Sequence, residues 1–303
     1  MVWLKRSDVL SFDEIYRVAS VLVERFGLKS IRLTGGEPTL RKQLHLLVEQ
    51  LASLGVELSM TTNGATLEHQ AKDLYGAGLS RINISLDTLD RQTFADLTKR
   101  DQLPQVLAGI DAAKQAGFDP VKVNAMLMKG INDSEVIDFL EFGRKTGVTV
   151  RFIEFMPLDA SEQWSQDRVV TSAEILEQVS NRYRYEEITR GSSPAERFQF
   201  EVKPELFPDL GENAQGGEFG IIASVSEPFC ESCDRIRLTA DGQLRNCLFA
   251  LEHLDLRALL RAGKSDSELA DAIVGEVERK RAGHNIGQVY FVRPTKSMSQ
   301  VGG

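Results

Sequence analysis

The chain has 303 residues, a formal net charge of −8 and a sequence pI of about 5.2. This acidic balance disfavours nucleic acid as a general partner, because phosphates attract basic surfaces. No apolar run approaches the roughly 20 residues of a membrane-spanning helix, and the 3 clustered cysteines do not resemble a disulfide framework. We therefore expect a cytoplasmic globular protein that binds neither nucleic acid nor membranes.

The first predicted element is a helix that begins after Ser11. The segment SFDE is a capping box, in which the serine and glutamate side chains accept from each other's backbone N–H groups, and Leu10 with Ile15 forms a hydrophobic staple. Apolar residues then recur with helical spacing as far as Phe26, so we predict that all of them face one core, and Gly27 ends the helix. A repeating βα unit would place a strand before this helix, and we predict that this first strand is missing.

Short apolar strands and helices alternate after this helix. Strands are predicted over 29–36, 57–64, 81–88, 121–128 and 150–157, and helices over 39–54, 66–77, 103–116 and 133–146. This order predicts an α/β fold with a parallel sheet. Each strand ends in polar or turn residues, and ligand sites in such folds collect at the carboxyl ends of the strands.

Polar side chains share one face of three of these strands. Strand alternation groups them in pairs: Arg32 with Thr34, Asn83 with Ser85, and Lys122 with Asn124. Ile, Leu and Val occupy the opposite face. Because a buried charge without a partner is costly, the pattern predicts a barrel whose polar lumen holds an anion.

The pattern changes after residue 170. It predicts a helix in TSAEILEQVSNRY, antiparallel strands in YRYEEIT, RFQFEV and GIIASV, a hairpin around Asp241 and Gly242, and helices over 254–262 and 266–281. We therefore divide the chain into residues 1–170, a partial TIM barrel, and residues 171–303, an α+β extension packed onto it.

All the cysteines lie in the stretch FCESCDRIRLTADGQLRNC, with the spacing C-x2-C-x13-C. They could be buried thiols, zinc ligands with His253 as the fourth, or ligands of an iron–sulfur cluster with one iron left free for a substrate. Arg235 and Arg237 lie on one face of the strand after Cys233, where they could meet an anionic ligand of that iron. The predicted polar lumen favours the cluster.

Together these motifs resemble the GTP 3′,8-cyclases, the radical S-adenosylmethionine (SAM) enzymes that begin molybdenum-cofactor biosynthesis. The resemblance is carried, in chain order, by IRLTGGEPTLR, TTNG, RINISLD, VKVNAMLMKGIND, RFIEFMP, the cysteine stretch and the terminal Gly-Gly. It implies an incomplete (βα)6 TIM-like radical-SAM barrel, its first strand missing here, with a C-terminal α+β extension that carries an iron–sulfur site. The implied reaction converts GTP to (8S)-3′,8-cyclo-7,8-dihydroguanosine 5′-triphosphate through a 5′-deoxyadenosyl radical.

The resemblance also implies roles for individual residues. The ligands of a [4Fe–4S] cluster that binds guanine through its free iron would be Cys230, Cys233 and Cys247. The GTP contacts would be Arg32, Thr61, Lys122, Arg235, Ile236 and Arg237. The SAM contacts would be Gly36, Ser85 and Met156, and the catalytic residues would be Arg235, Arg237 and the tail Gly302 and Gly303, which would reach into the active site.

A second [4Fe–4S] cluster is expected in this family, on an N-terminal C-x3-C-x2-C loop that cleaves SAM. This sequence has no cysteine before Cys230, so the ligands of that cluster are absent from it. We therefore expect Met1 to be an internal methionine of a longer protein, and the chain as written to be N-terminally truncated and inactive.

The implied partners are GTP, a downstream cyclic pyranopterin monophosphate synthase, a reductant such as flavodoxin or ferredoxin, and a second copy of the chain in a homodimer. Two other functions stay open. One is a non-catalytic GTP-binding barrel that never had the first cluster. The other is a different radical SAM enzyme with an auxiliary cluster, such as a peptide-modifying maturase, which the RIR run and the terminal Gly-Gly disfavour.

Overall fold

The computed structural model describes residues 4–158, 163–189, 194–203, 216–281, 283–284, 286, 288, 291–294 and 298. The helices are α1 (Phe12–Phe26), α2 (Leu44–Ala52), α3 (Ala71–Gly76), α4 (Arg91–Thr98), α5 (Leu103–Ala116), α6 (Val136–Thr146), α7 (Ser172–Arg182), α8 (Leu256–Arg261) and α9 (Asp266–Glu278). The strands are β1 (Ser30–Leu33), β2 (Glu57–Thr62), β3 (Arg81–Ser85), β4 (Lys122–Leu127), β5 (Thr149–Glu154), β6 (Tyr183–Ile188), β7 (Glu196–Val202), β8 (Gly217–Ile222), β9 (Arg237–Leu238), β10 (Gln243–Arg245) and β11 (Leu254–Asp255).

The main sheet has 8 strands in the order β1-β2-β3-β4-β5-β8-β7-β6. Strands β1 to β5 pair in parallel, which confirms the predicted α/β fold with a mostly parallel sheet. The predicted antiparallel pairing of β6, β7 and β8 is confirmed, and β8 also pairs in parallel with β5, which was not predicted. Strands from before and after residue 170 thus lie in one sheet. The division of the chain into two domains at residue 170 stays a prediction.

The predicted hairpin forms part of a smaller sheet of 3 strands, in the order β11-β10-β9. Its turn contains Gly242 with a φ of 78°, the left-handed conformation that glycine adopts without strain. The sequence predicts a helix from residue 254, but the first residues of that segment pair with β10 as β11, and α8 begins at Leu256. The helix that follows ends at Glu278, three residues before its predicted end.

The termini of α1 agree with the prediction. The Ser11 side chain accepts from the Glu14 N–H, and the Glu14 side chain accepts from the Ser11 N–H. Gly27 ends the helix with a φ of 65°. From Leu4 onward, the only described element before α1 is a short 3-10 turn over Arg6–Asp8.

The buried face of α1 differs from the prediction, because the helix lies between two cores. Ala19 packs in the larger core, with residues of the main sheet and of α2, α3, α5, α6 and α7. Val18 and Val21 pack in a smaller core with residues of α8, α9 and β10. Phe26, predicted to be buried, belongs to neither core and is 44% exposed.

Several other helices start later than predicted, each after a short 3-10 turn. These turns are Pro38–Leu40, Leu67–His69 and Asp133–Glu135. Helix α4 is not predicted at all, since Phe94 is its one buried residue and gives no apolar period. Within the described residues, no helix combines the length and the apolar character that crossing a membrane requires.

Candidate functional site

The main sheet has a polar face, opposite the face that packs on the helices. Backbone register places Asn83 beside Lys122, Ser85 beside Asn124, and Asn124 beside Arg151. Partners in register on neighbouring strands point to the same side. In β4 and β5 these residues alternate with fully buried ones. The predicted grouping of polar side chains on one face is confirmed.

The basic side chains on this polar face repel one another, so each makes protonation of the others less favourable. Burial, followed by the nearby charge of Arg151, lowers the pKa of Lys122 to about 8. Burial, followed by the charge of Arg32, lowers the pKa of Arg151 to about 10. Part of the Arg32 side chain reaches solvent, but protein atoms surround most of it. The resulting desolvation, followed by the charge of Arg235, lowers the pKa of Arg32. An anion between these cations would relieve the repulsion.

Carboxylates pair directly with the basic residues at the edge of this group, whereas the residues inside it are offset only at longer range, by Glu57 and Glu218. Arg81 pairs with Glu57, and Arg197 forms a two-pronged ion pair with Glu218 at 2.8 Å. Within the described part of the chain, Arg32, Lys122 and Arg151 form no salt bridge. The positive charge in the middle of the polar face is therefore only partly offset within the described part of the chain.

Sequence reasoning missed Arg151. The signal was present, because alternation in β5 places Arg151 on the same face as Thr149 and Ile153. Its neighbour on β8 is Gly220, where an added Cβ would lie 3.4 Å from Arg151 Cγ and 3.1 Å from the Glu196 carbonyl oxygen. The approach to Glu196 would be tighter than usual, whereas the approach to Arg151 would be an ordinary van der Waals contact.

The GGEP turn after β1 is open at the carboxyl edge of the sheet. Gly35 has a φ of 140°, and apart from its chain neighbours no atom of the described residues lies within 4 Å of the position of an added Cβ. Glu37 stabilises the turn. Its carboxylate accepts hydrogen bonds from the Thr39 N–H at 3.0 Å and from the Thr62 hydroxyl and the Asn63 N–H at 2.7 Å. The glutamate thus fixes the turn and leaves the glycine backbone accessible.

The predicted SAM contacts all lie at this carboxyl edge. Gly36 is exposed in the GGEP turn, Ser85 is the exposed last residue of β3, and Met156 is half-buried just after β5. Thr61 lies further back on the polar face, beside Asn83. Their contacts with a ligand stay predictions.

A buried carboxylate joins this edge to the rest of the chain. Glu154, at the end of β5, is fully buried. It accepts from the Ser172 N–H that begins α7 and from the Val225 and Ser226 N–H groups after β8. The Ser226 hydroxyl donates to it as well. A carboxylate with this many donors is a structural clamp, and sequence reasoning gave it no role.

The cysteine site is formed by the 3-10 turn Cys230–Ser232, by Cys233, and by Cys247 after β10. The thiols are free and half-buried. Burial, supported by the nearby Cys247 and Cys233 thiols, raises the pKa of Cys230. Burial opposes ionisation of Cys233 too, but hydrogen bonds from Arg235 and the charges of Arg235 and Lys280 lower its pKa overall.

This site does not have the geometry of a single-ion centre. Among the described residues, no group of three or more His, Cys, Asp or Glu side chains is arranged to hold a metal ion. His253, the residue considered as a fourth zinc ligand, is exposed. The four-ligand zinc interpretation therefore gains no support.

The arginines of the RIR run link the cysteine site to the polar face. Burial, followed by the charge of Arg235, lowers the pKa of Arg237 to about 10, while the Cys247 and Cys233 thiols counteract this and Arg32 adds to it. Arg237 Nε is buried without a hydrogen-bond partner in the described part of the chain.

The other two members of the RIR run are held by contacts of their own. Arg235 stacks over the Phe229 ring at 5.0 Å. The Ile236 side chain packs against the smaller core, so a GTP contact there stays a prediction. The predicted catalytic tail, Gly302 and Gly303, lies outside the described residues.

Comparison with known proteins divides the chain between two family models. Residues 2–143 match the radical SAM superfamily, and residues 148–286 match the family Molybdenum Cofactor Synthesis C. The chain is 43% identical over 309 residues to the GTP 3′,8-cyclase of Streptomyces coelicolor, covering 99% of this chain and 86% of that protein. It is 43% identical over 305 residues to GTP 3′,8-cyclase 2 of Mycobacterium tuberculosis, covering 99% and 82%. Among solved structures, Streptococcus suis SuiB matches with a TM-score of 0.48 and 15% identity, covering 57% of this chain and 40% of that one.

Proposed function

The chain belongs to the GTP 3′,8-cyclase family of radical SAM enzymes, and from this premise we propose that it binds GTP across the polar face and the cysteine site. The triphosphate lies among the basic side chains of the polar face, and the guanine lies at a [4Fe–4S] cluster held by the cysteines. The main sheet curls into an incomplete (βα)6 barrel with the polar face inside, and residues 171–303 supply the extension with the cluster.

The continuity of positive charge between the two regions is the observation that carries this proposal. Arg235 lowers the pKa of Arg32, Arg32 lowers the pKa of both Arg237 and Arg151, and Arg151 lowers the pKa of Lys122. One elongated anion could neutralise the whole series, and a triphosphate offers several negative charges in line. Arginine forks suit phosphate oxygens well. The family's substrate has this shape and charge.

The cysteine site fits a cluster better than a single ion. Each thiolate of a [4Fe–4S] cube binds a different iron, so the sulfur atoms need not converge on one point. Cys247 and Cys233 lie near enough to Cys230 to raise its pKa, and both act on the pKa of Arg237, whose Nε is buried without a partner among the described residues. When bound, such a cluster supplies a free iron that accepts a donor atom of guanine.

The carboxyl edge of the sheet is the place we assign to SAM, with Gly36, Ser85 and Met156 as its contacts. In this enzyme class SAM, bound to a second cluster, is the source of the 5′-deoxyadenosyl radical, and this sequence has no cysteine before Cys230 to hold that second cluster. Thr61, between this edge and the cations, holds the middle of the nucleotide. Gly302 and Gly303 keep the catalytic role that the family resemblance implies, together with Arg235 and Arg237.

The family role places the protein in molybdenum-cofactor biosynthesis. The cyclised nucleotide passes to a cyclic pyranopterin monophosphate synthase, and a flavodoxin or ferredoxin supplies electrons. A second copy of the chain is the partner we assign for a homodimer.

Equilibrium binding of GTP to an Arg151→Met variant tests the placement of the triphosphate. Hydrogen bonds to charged groups contribute about 1.5–3 kcal/mol each, so we expect GTP affinity to fall by about tenfold or more. The control is Arg91→Met, which removes an exposed arginine that pairs with Asp101 far from this face, and its affinity should match the wild type. Equal affinity in the Arg151 variant and the wild type would refute the placement.

A further inference from the structure

A lysine after the last described helix reaches into the cysteine site. Lys280 Nζ donates to the carbonyl oxygen of Cys233 at 2.6 Å and to that of Arg235 at 3.0 Å. It also lies 3.6 Å from Cys233 Sγ. An ammonium group has three N–H donors, so these contacts use all of them. Lys280 therefore contacts the backbone carbonyl groups of the residues before and after Asp234, and the sulfur of Cys233.

Each cysteine sulfur has an N–H donor, but the donors differ in charge. Cys247 Sγ accepts from the backbone N–H of Phe249 at 3.4 Å, and the Cys230 thiol accepts from the backbone of His284. These donors are neutral. At Cys233 the backbone N–H of Arg235 donates too, but the Lys280 and Arg235 side chains add cationic donors. Cys233 is thus the cysteine whose sulfur has charged hydrogen-bond donors in the described part of the chain.

The backbone that carries Lys280 follows α9, and α9 packs against the hairpin that carries Cys247. Helix α9 ends two residues before Lys280, and its Leu269 and Ile273 pack in the smaller core. The Asn246 side chain, next to Cys247, donates to the Glu276 carbonyl oxygen of α9 at 2.9 Å. Because both ends of the contact are fixed, the ammonium is presented to Cys233 in a defined position.

Lys280 has no competing acidic partner. Within the described residues, it forms no salt bridge with a carboxylate, although basic residues nearby do, such as Arg279 with Glu276. A half-buried ammonium that contacts only carbonyl oxygens and a sulfur is suited to a thiolate. The negative charge of a Cys233 thiolate would then balance the positive charge of Lys280.

Resting on the cluster assigned under the proposed function, we propose that Lys280 is a positioning residue of that cluster. It fixes the Cys233 loop for ligation and stabilises negative charge on the Cys233 thiolate. Reduction of a cluster adds an electron, and hydrogen bonds to its sulfurs and nearby positive charge favour the reduced form. Lys280 therefore raises the reduction potential of the cluster and slows its loss.

The test compares Lys280→Met with the wild type after anaerobic reconstitution. Iron and sulfide are counted per chain, and the cluster is titrated reductively while its EPR signal is followed. We expect the methionine variant to lose iron several times faster and to require a more negative potential for half-reduction. Lys280→Arg, which keeps the charge and the donors, should restore both values most of the way. A purely structural lysine would leave the potential of the remaining cluster unchanged.

Matched controls keep the outcome interpretable. Lys264→Met removes a lysine of the α8–α9 turn that pairs with Glu268 at 2.6 Å, and it should behave as the wild type. If Lys280→Met holds too little cluster to titrate, Lys280→Gln, which keeps an N–H donor without the charge, is titrated instead and should shift in the same direction. Thermal unfolding of the apo variants, expected to be unchanged, separates cluster loss from misfolding.

The two proposals fail in different ways. A wild-type chain that takes up no iron contradicts the proposed function and this inference with it. A loaded wild type beside a Lys280→Met variant with the same iron retention and the same potential overturns the role of Lys280 alone.

Discussion

The polar face and the cysteine site are built by different means. On the polar face, Lys122, Asn124 and Arg151 are placed by the hydrogen-bond register of adjacent parallel strands. At the cysteine site, two cysteines lie on or just after a 3-10 turn, and the third follows a strand of 3 residues. The site is completed by donors far along the chain, since Lys280 is 47 residues from Cys233.

This difference predicts how each region responds to substitution. A side chain on the polar face projects from a strand whose backbone is fixed by its neighbours, so its removal changes the charge and little else. A residue of the cysteine site takes part in several long-range contacts, so its removal disturbs the other ligands as well. We therefore expect graded effects on binding in the first region and near-complete loss of the cofactor in the second.

The largest effect is expected for Cys247→Ser. A serine hydroxyl is a poor cluster ligand and leaves only two thiolates, so bound iron should fall from about four atoms per chain to well below one. Affinity for inorganic tripolyphosphate, a probe of the polar face alone, should stay within about twofold of the wild type. Iron analysis and calorimetric titration measure the two quantities. Full iron retention, or a large loss of tripolyphosphate affinity, would remove the distinction between the regions.

A smaller effect is expected from pH, through Lys122. Its pKa is lowered to about 8 by burial, then by Arg151 and Arg81, with Glu218 opposing and Arg197 adding a little. A bound triphosphate raises this pKa, so binding takes up a proton above pH 8. GTP affinity should therefore be flat just below pH 8 and fall above it, by at most about tenfold per pH unit for a single proton.

The control for the pH effect is Lys122→Met. This variant should bind GTP more weakly at pH 7 and show no further fall between about pH 8 and pH 9, because Arg151, with a pKa of about 10, stays charged there. Calorimetry across this range gives both profiles. A slope that survives in the methionine variant would show that another group is responsible.

The same contrast explains what the sequence could predict. The alternation of polar and apolar residues within single strands was enough to place Arg32, Lys122 and Asn124 on polar strand faces. The same alternation in β5 could have identified Arg151. The parallel pairing of β8 with β5 was not predictable, because one strand's pattern does not say which strand lies beside it. Phe26 is the last residue of α1 and packs in neither of the two cores that the helix meets, which the helical spacing alone did not reveal.

The cysteine spacing pointed to a metal site, but its supporting contacts lie beyond local sequence reasoning. Nothing in the run after α9 marks Lys280 as a donor to Cys233, since the contact depends on how α9 packs against the hairpin. Glu154 is a similar case. Its donors come from segments 18 to 72 residues away, so its role as a clamp is visible only in the fold.

The most direct test of the account is the EPR spectrum of the reconstituted, reduced chain with and without GTP. If one nucleotide spans both regions, GTP should change the cluster signal, while inorganic tripolyphosphate, which fills only the polar face, should leave it unaltered. GTP that binds to the chain and displaces tripolyphosphate without any change in the cluster signal would contradict the account.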